Sequence, residues 1–294
     1  RIEIIEAAHP VPDAAGVAAA RRILEMARRA QDGDLILALI SGGGSAALTL
    51  PAPGLSLEDK QAVTRALLRS GASISEINCV RKHLSAIKGG RLAQAAWPAS
   101  VLSLIISDVA GDDPSSVASG PTLADASTRQ EAQALLQRYG IDCPLPVLSH
   151  LSRPESETPK PGDERLLRSR AITVASAATS LEAAAALARR RGITPIILGD
   201  AIEGEARAVA DRMAAQALAW SDPGPVVLLS GGETSVTVRG PGRGGRNAEF
   251  LLALAIALDG CPRIHALACD TDGIDGSEDN AGAIIGPTTL ARAR

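Results

Sequence analysis

Aromatic side chains are nearly missing from this sequence. Phe250, Tyr139, Trp97 and Trp220 are the whole set, 1% of 294 residues. A platform for stacking nucleic-acid bases is therefore disfavoured, and the core has to be built from Ala, Leu, Ile and Val. Cysteine is equally sparse. Cys79, Cys143, Cys261 and Cys269 show no Cys-x-x-Cys spacing, which argues against a disulfide framework or a zinc site and fits a reducing, cytoplasmic setting. Long apolar runs are lacking too. The longest, Phe250 to Leu258, is too short to cross a bilayer, and no signal-peptide pattern is present. The net charge of −3 gives no excess of positive charge for a nucleic acid or other polyanion. No Gly-x-x-x-x-Gly-Lys-Ser/Thr loop and no Gly-x-Ser-x-Gly elbow occurs, which removes the P-loop enzymes and the α/β-hydrolases.

What the chain does have is a series of short apolar runs that end in glycine, serine or aspartate. At 46% hydrophobic and 21% charged residues it is an ordinary globular mixture, long enough for two domains. The runs 35–40, 101–106, 171–175, 194–198, 226–229 and 264–269 read as strands alternating with helical segments, so the fold class is α/β with mainly parallel sheets flanked by helices. Asp13 caps a helix over 14–30. Ser56-Leu-Glu-Asp59 opens another as a capping box. A third helix opens at Ser73 and carries Arg81, Ser85 and Lys88 on one face until Gly89-Gly90 ends it. Residues 145–168, rich in proline and charge, read as the main linker. The expected domains are 1–168 and 169–294. The chain begins without Met in strand-like Ile2-Glu-Ile-Ile5 and stops in a helix-like Thr288 to Arg294, so it reads as a fragment.

The stretch Ser230-Gly-Gly-Glu-Thr234 through Arg239, Arg243, Arg246, Asn247 and Glu249 is the densest candidate site. It holds six glycines and three arginines between a strand and a helix. Backbone N–H groups and a helix N-terminus there suit an anion, and arginine suits phosphate or carboxylate oxygens. A solvated hairpin is the plainer alternative. Strand 35–40 ends in a similar Ser41-Gly-Gly-Gly-Ser45, with Gly42, Gly43 and Gly44 free of side chains. The loop after strand 101–106 carries Asp108, Asp112 and Asp113, for Mg²⁺ or for helix capping. Asp270, Asp272 and Asp275 follow strand 264–269, for Mg²⁺, for a general base, or simply for a turn. Lys88 and Arg91 serve either a helix dipole or a substrate. His9, between a strand and prolines, contacts substrate or is structural. Gly240, Gly242 and Gly245 match Gly-x-Gly-x-x-Gly literally, but late in the chain and without an acidic ribose partner.

Together these segments resemble the glycerate 2-kinases, the MOFRL family of type-II glycerate kinases, some of which formerly carried the provisional name hydroxypyruvate reductase. The resemblance rests on Ala8-His-Pro-Val-Pro-Asp13, Ser41 to Ser45, Asn78 to Gly90, Ser107 to Asp113, Ala118-Ser-Gly-Pro-Thr122, the whole 230–249 stretch and Asp270 to Gly276. It implies ATP-dependent phosphorylation of D-glycerate to 2-phosphoglycerate with Mg²⁺, in a cleft between two α/β domains, the MOFRL block beginning near 224. A Gly-Lys motif upstream and an Asn/Asp/Gly-rich C-terminal segment belong to the family and lie outside this sequence. Ala47 and Ala248 are small departures.

For such a kinase the expected catalytic residues are Arg246 for transition-state charge, Lys88 and Asp270. Ser41, Gly42, Gly43, Gly44, Ser45, Gly231, Gly232, Glu233, Arg81, Arg243 and Asn247 are expected to hold substrate or phosphate, and Asp108, Asp113 and Asp272 the metal. The expected partners are D-glycerate and ATP, with neither nucleic acid nor membrane. An NAD(P)H-dependent hydroxypyruvate reductase and a non-catalytic anion-binding module are the rivals.

Overall fold

Helix starts follow the capping residues. Asp13 accepts from the Gly16 N–H at 2.8 Å and opens α1 (Ala14–Arg29). The Ser56/Asp59 box is complete at the start of α3 (Leu57–Arg69), after the single turn α2 (Gly44–Ala47). Ser73 and Glu76 make a second box on α4 (Ile74–His83). Each box satisfies two of the N–H groups that a helix start leaves open. The computed structural model describes residues 2–8, 11–109, 113–221, 223–240, 242–271, 273–277 and 279–292. His9, Asp112 and Asp272 lie outside the described residues.

The chain divides into two compact units, Arg1–Ser176 and Ala177–Arg294. The first is built on a parallel sheet of order β1-β2-β3: β1 (Leu35–Ile40), β2 (Ser100–Ile106) and β3 (Ser169–Ala175). Helices α1 and α5 (Arg91–Ala96) pack Ala20, Leu24, Leu92 and Ala96 with Val101 of β2. A second apolar cluster joins α3 and α4 to α6 (Arg129–Arg138) and α7 (Leu145–Leu151) through Val63, Leu67, Val80, Leu136 and Leu151.

In the second unit β4 (Thr194–Glu205) and β5 (Val226–Ser235) run parallel, with α8 (Ala177–Arg190) and α9 (Ala206–Leu218) around them. After α10 (Arg246–Leu258) come β6 (Ala266–Cys269) and β7 (Gly282–Ile285), an antiparallel pair, and the short α11 (Thr289–Arg292). Ala210 and Ala214 of α9 pack on Leu251, Leu254 and Leu258 of α10. With almost no aromatic residues, alanine facing leucine lets these helices approach closely.

Five local expectations change. Ile2 to Ile5 is irregular and exposed rather than a strand. The helix from Ser73 stops at His83, because Ser85 Oγ accepts from the N–H groups of Ile87 and Lys88 and Ser85 bridges to Pro51. Arg81, Ser85 and Lys88 therefore share no helix face, and Gly90 caps the start of α5 instead of closing α4. The 145–168 stretch is not loose: α7 buries Val147 and Leu151. Strand β3 completes the first sheet beside β2, where the alternation placed it with β4 and β5. Hydrophobic pattern identifies a strand but not its neighbour.

Candidate functional site

In the first unit the loops after β1 and β2 meet. Ligands of open α/β sheets bind beyond this C-terminal edge. Gly42 lies under the Asp108 carboxylate so closely that a Cβ there would stand 1.7 Å from Oδ2. Ser45 Oγ lies 2.8 Å from Ser119 Oγ, which donates to Asn78 Oδ1 at 3.0 Å. Ser45 is thus tied into the protein, while Ser41, Gly42 and Gly43 are exposed. Ala118, Ser119 and Gly120 stand at φ 52°, 60° and 57°. Such left-handed backbone is strained for Ala and Ser, and it persists only where surroundings impose it. Lys88 is part of that imposition. Fully buried, it donates from Nζ to the Ala118 carbonyl at 3.0 Å. Burial, then the nearby Lys60 and Arg81, push its pKa well below that of an ordinary lysine.

Asp113 serves its own loop. Its carboxylate accepts from the Ser115 N–H at 3.0 Å and from the hydroxyls of Ser115 and Ser116 at 2.8 and 2.9 Å. Burial works against ionisation there, but these bonds outweigh it and hold the pKa low. These bonds close a loop turn and cap no helix, since the short 3₁₀ turn that follows, Val117–Ser119, has no side-chain cap at Ser116.

In the second unit Arg246, at the start of α10, donates to Glu233 at 2.5 Å and to Asp270 at 2.6 Å. Partial burial opposes its charge, but the bonds to Asp270 and Glu233 prevail and raise its pKa. The Ser230 to Ser235 stretch differs from the expected turn. It continues strand β5, with Gly232 opposite Ile202 and Glu233 opposite Glu203. Gly232 has φ 135°, and a Cβ there would lie 2.2 Å from the Ile202 carbonyl oxygen, so the glycine serves close strand pairing. Gly231 packs near Ala177 and Leu181.

The N-terminus of α10 is also occupied. Asp275, 1% exposed, accepts from the N–H groups of Asn247 (2.9 Å) and Ala248 (2.8 Å) and from Asn247 Nδ2 (3.1 Å). The anion that the helix dipole attracts is the protein's own carboxylate. Gly245 admits it, since a Cβ there would stand 2.2 Å from the Asp275 carbonyl oxygen. Arg243 is exposed nearby.

Among the described residues no three His, Cys, Asp or Glu side chains gather as a metal site. Asp108 and Asp113 lie in the first unit, and the carboxylates of Asp113, Asp270 and Asp275 are bonded within the protein. Lys60 is the residue that motif reading passes over. It is buried in α3, and burial followed by the charge of Arg81 lowers its pKa to about 7. The signal for it was present: Lys60 stands with Val63, Thr64 and Leu67 in one buried stripe at helical spacing.

Residues 226–294 match the MOFRL family, and residues 1–152 match a domain of unknown function, DUF4147. A protein of Agrobacterium vitis with the provisional name hydroxypyruvate reductase is 53% identical over 100% of this chain and 68% of its own length. The D-glycerate 2-kinase of Thermotoga maritima is 41% identical over 98% of this chain and 68% of its length. The crystal structure of a Thermotoga maritima glycerate kinase superposes with a TM-score of 0.84 at 40% identity, covering 97% of this chain and 69% of that one. No described helix is long and apolar enough to cross a membrane. On these identities and coverages, the chain belongs to the glycerate kinase family that carries the MOFRL domain.

Proposed function

We propose that the protein transfers the γ-phosphoryl group of ATP to the 2-hydroxyl of D-glycerate, giving 2-phosphoglycerate and ADP in the cytoplasm. The observation that carries this reading is the 41% identity to a D-glycerate 2-kinase over 98% of the chain. Phosphoryl transfer needs a positioned acceptor and neutralised phosphate charge rather than a covalent intermediate. The hydroxyl oxygen attacks phosphorus as the bond to the ADP oxygen breaks, and the hydroxyl proton passes to solvent. In the first unit, Arg81 and Lys88 bind substrate oxyanions, and the backbone of Ser41 to Gly44 approaches the ligand without side chains in the way. In the second unit, Arg246 stabilises charge on the transferring group. Asp270 and Glu233 orient its guanidinium, so Asp270 acts as a positioning residue. Asn247 and Arg243 flank it. Mg²⁺ brought in with ATP would supply neutralisation of phosphate charge, and Asp108 would be the carboxylate to hold it, since Mg²⁺ sites of this kind need only one or two protein ligands.

The name of the Agrobacterium vitis relative keeps a reductase in view. The geometry favours it less. A dinucleotide's pyrophosphate sits on a helix N-terminus behind Gly-x-Gly-x-x-Gly, and behind Gly245 that position holds the Asp275 carboxylate. The test is ADP release with ATP, Mg²⁺ and D-glycerate, with the product identified. 2-Phosphoglycerate supports the kinase. Loss of nicotinamide absorbance with hydroxypyruvate, and no ADP, would replace it with the reductase.

A further inference from the structure

Two buried lysines of the first unit are treated in opposite ways. Lys82 of α4 pairs with Asp125 at 3.2 Å, and that carboxylate also accepts from Ser127 and Thr158. This is how a structural lysine is buried: with a counter-charge and full hydrogen bonding. Lys60 has neither. It is 3% exposed, and its Nζ has no hydrogen-bond partner among the described residues. Lys88, fully buried, has a neutral carbonyl for its partner. Arg81, next to Lys82 in α4, is half-buried and makes no hydrogen bond or ion pair among the described residues. The charge that acts on Lys60 is that of Arg81, those that act on Lys88 are Lys60 and Arg81, and no carboxylate of the described residues is among them. Two buried ammonium groups and the half-buried Arg81 thus lie near one another with no carboxylate among the described residues to neutralise them. The uncompensated desolvation costs several kcal/mol per ion, a cost that a bound anion removes. Both ammonium groups are enclosed, so a ligand that meets them has to be small, an oxyanion rather than a triphosphate chain with its metal.

We propose that Lys60, Arg81 and Lys88 form a buried oxyanion site that takes the carboxylate of the substrate hydroxy acid, with Lys60 as the residue that selects an acid over a neutral polyol. The assignment of the carboxylate rests on the kinase reading; the anion site itself does not. The experiment uses Lys60→Met and Arg81→Gln, with D-glycerate and glycerol as acceptors. Losing one charge-assisted bond is expected to raise the KM for D-glycerate by about 10- to 100-fold, leave the KM for ATP unchanged, and collapse the preference for glycerate over glycerol. An unchanged glycerate KM in Lys60→Met overturns the proposal. A rise in the ATP KM instead makes the site one for phosphate and overturns the carboxylate assignment.

Calorimetric titration with D-glycerate alone, without ATP, tests the site even if no phosphorylation occurs. Near pH 8 the lowered pKa leaves Lys60 largely neutral, facing Arg81 and Lys88, so anion binding draws in a proton. Proton uptake, read as a dependence of the heat on buffer ionisation, is expected in the parent and lost in Lys60→Met. Binding without uptake, or no binding in the parent, removes the site. Arg81→Gln keeps the test decisive should Lys60→Met misfold, since Arg81 is half-exposed and holds no partner among the described residues whose loss would disturb the fold.

Discussion

Lys60 carries a stability signature of its own. Its pKa in the folded protein is lowered to about 7, against 10.5 for an unhindered lysine. Between those values the unfolded chain binds a proton that the native state does not, so unfolding free energy rises with pH across that window. Below pH 7 both states are protonated and the burial penalty is fully present. Lys60→Met is therefore expected to be more stable than the parent at pH 6, by on the order of a few kcal/mol, and the gap should narrow toward pH 10. Urea unfolding at several pH values checks this; a gap independent of pH would remove Lys60 as its source. At Arg246 the prediction concerns rate. Replacement by Ala is expected to lower kcat by roughly 10³-fold, in the range of a lost arginine finger. A variant with near-parent kcat would exclude Arg246 from transition-state stabilisation.

At the scale of elements, the second unit depends on two close approaches. Asp275 caps α10 from 28 positions away in sequence, bonding the Asn247 N–H. Asp275→Ala leaves the N–H groups of Asn247 and Ala248 without their acceptor, and is expected to cost about 1–3 kcal/mol. Chemical denaturation measures it, and an effect below about 0.5 kcal/mol would mean that water substitutes for the cap. Gly232 lets β5 lie against Ile202 of β4. Gly232→Ala places a methyl group 2.2 Å from a backbone oxygen, at a φ that side chains avoid, so a loss of more than about 2 kcal/mol is expected. An unaltered melting temperature would show that the strands can part there without cost.

At the scale of the molecule, the first sheet shows an apolar surface. Parallel sheets are normally covered on both faces, yet Leu35, Leu37 and Leu39 of β1 and Ile172 and Val174 of β3 are exposed, Leu39 to 72%. Leu39→Asn is expected to reduce binding of a hydrophobic dye while shifting the melting temperature by less than about 2 °C, since surface substitutions rarely exceed ±0.5 kcal/mol. A strong loss of stability would show that this face is covered in solution.

Much of the fold was legible along the chain, because the relevant physics is local. The caps at Asp13 and Ser56, the helical spacing in α1 and α3, and the apolar runs of β1 and β2 depend on neighbours a few residues away. The motifs that placed the chain among the glycerate 2-kinases are equally local, since each is a short run of residue types. Tertiary structure decided which groups meet. It set β3 beside β2, turned Ser230 to Ser235 into strand, and spent the Asp275 carboxylate on a helix start that looked open to phosphate. It also drew Lys60 into the neighbourhood of Arg81 and Lys88, with no carboxylate of the described residues acting on either lysine. Charge, burial and partnership in the interior depend on residues distant in sequence, and only the folded chain brings those together.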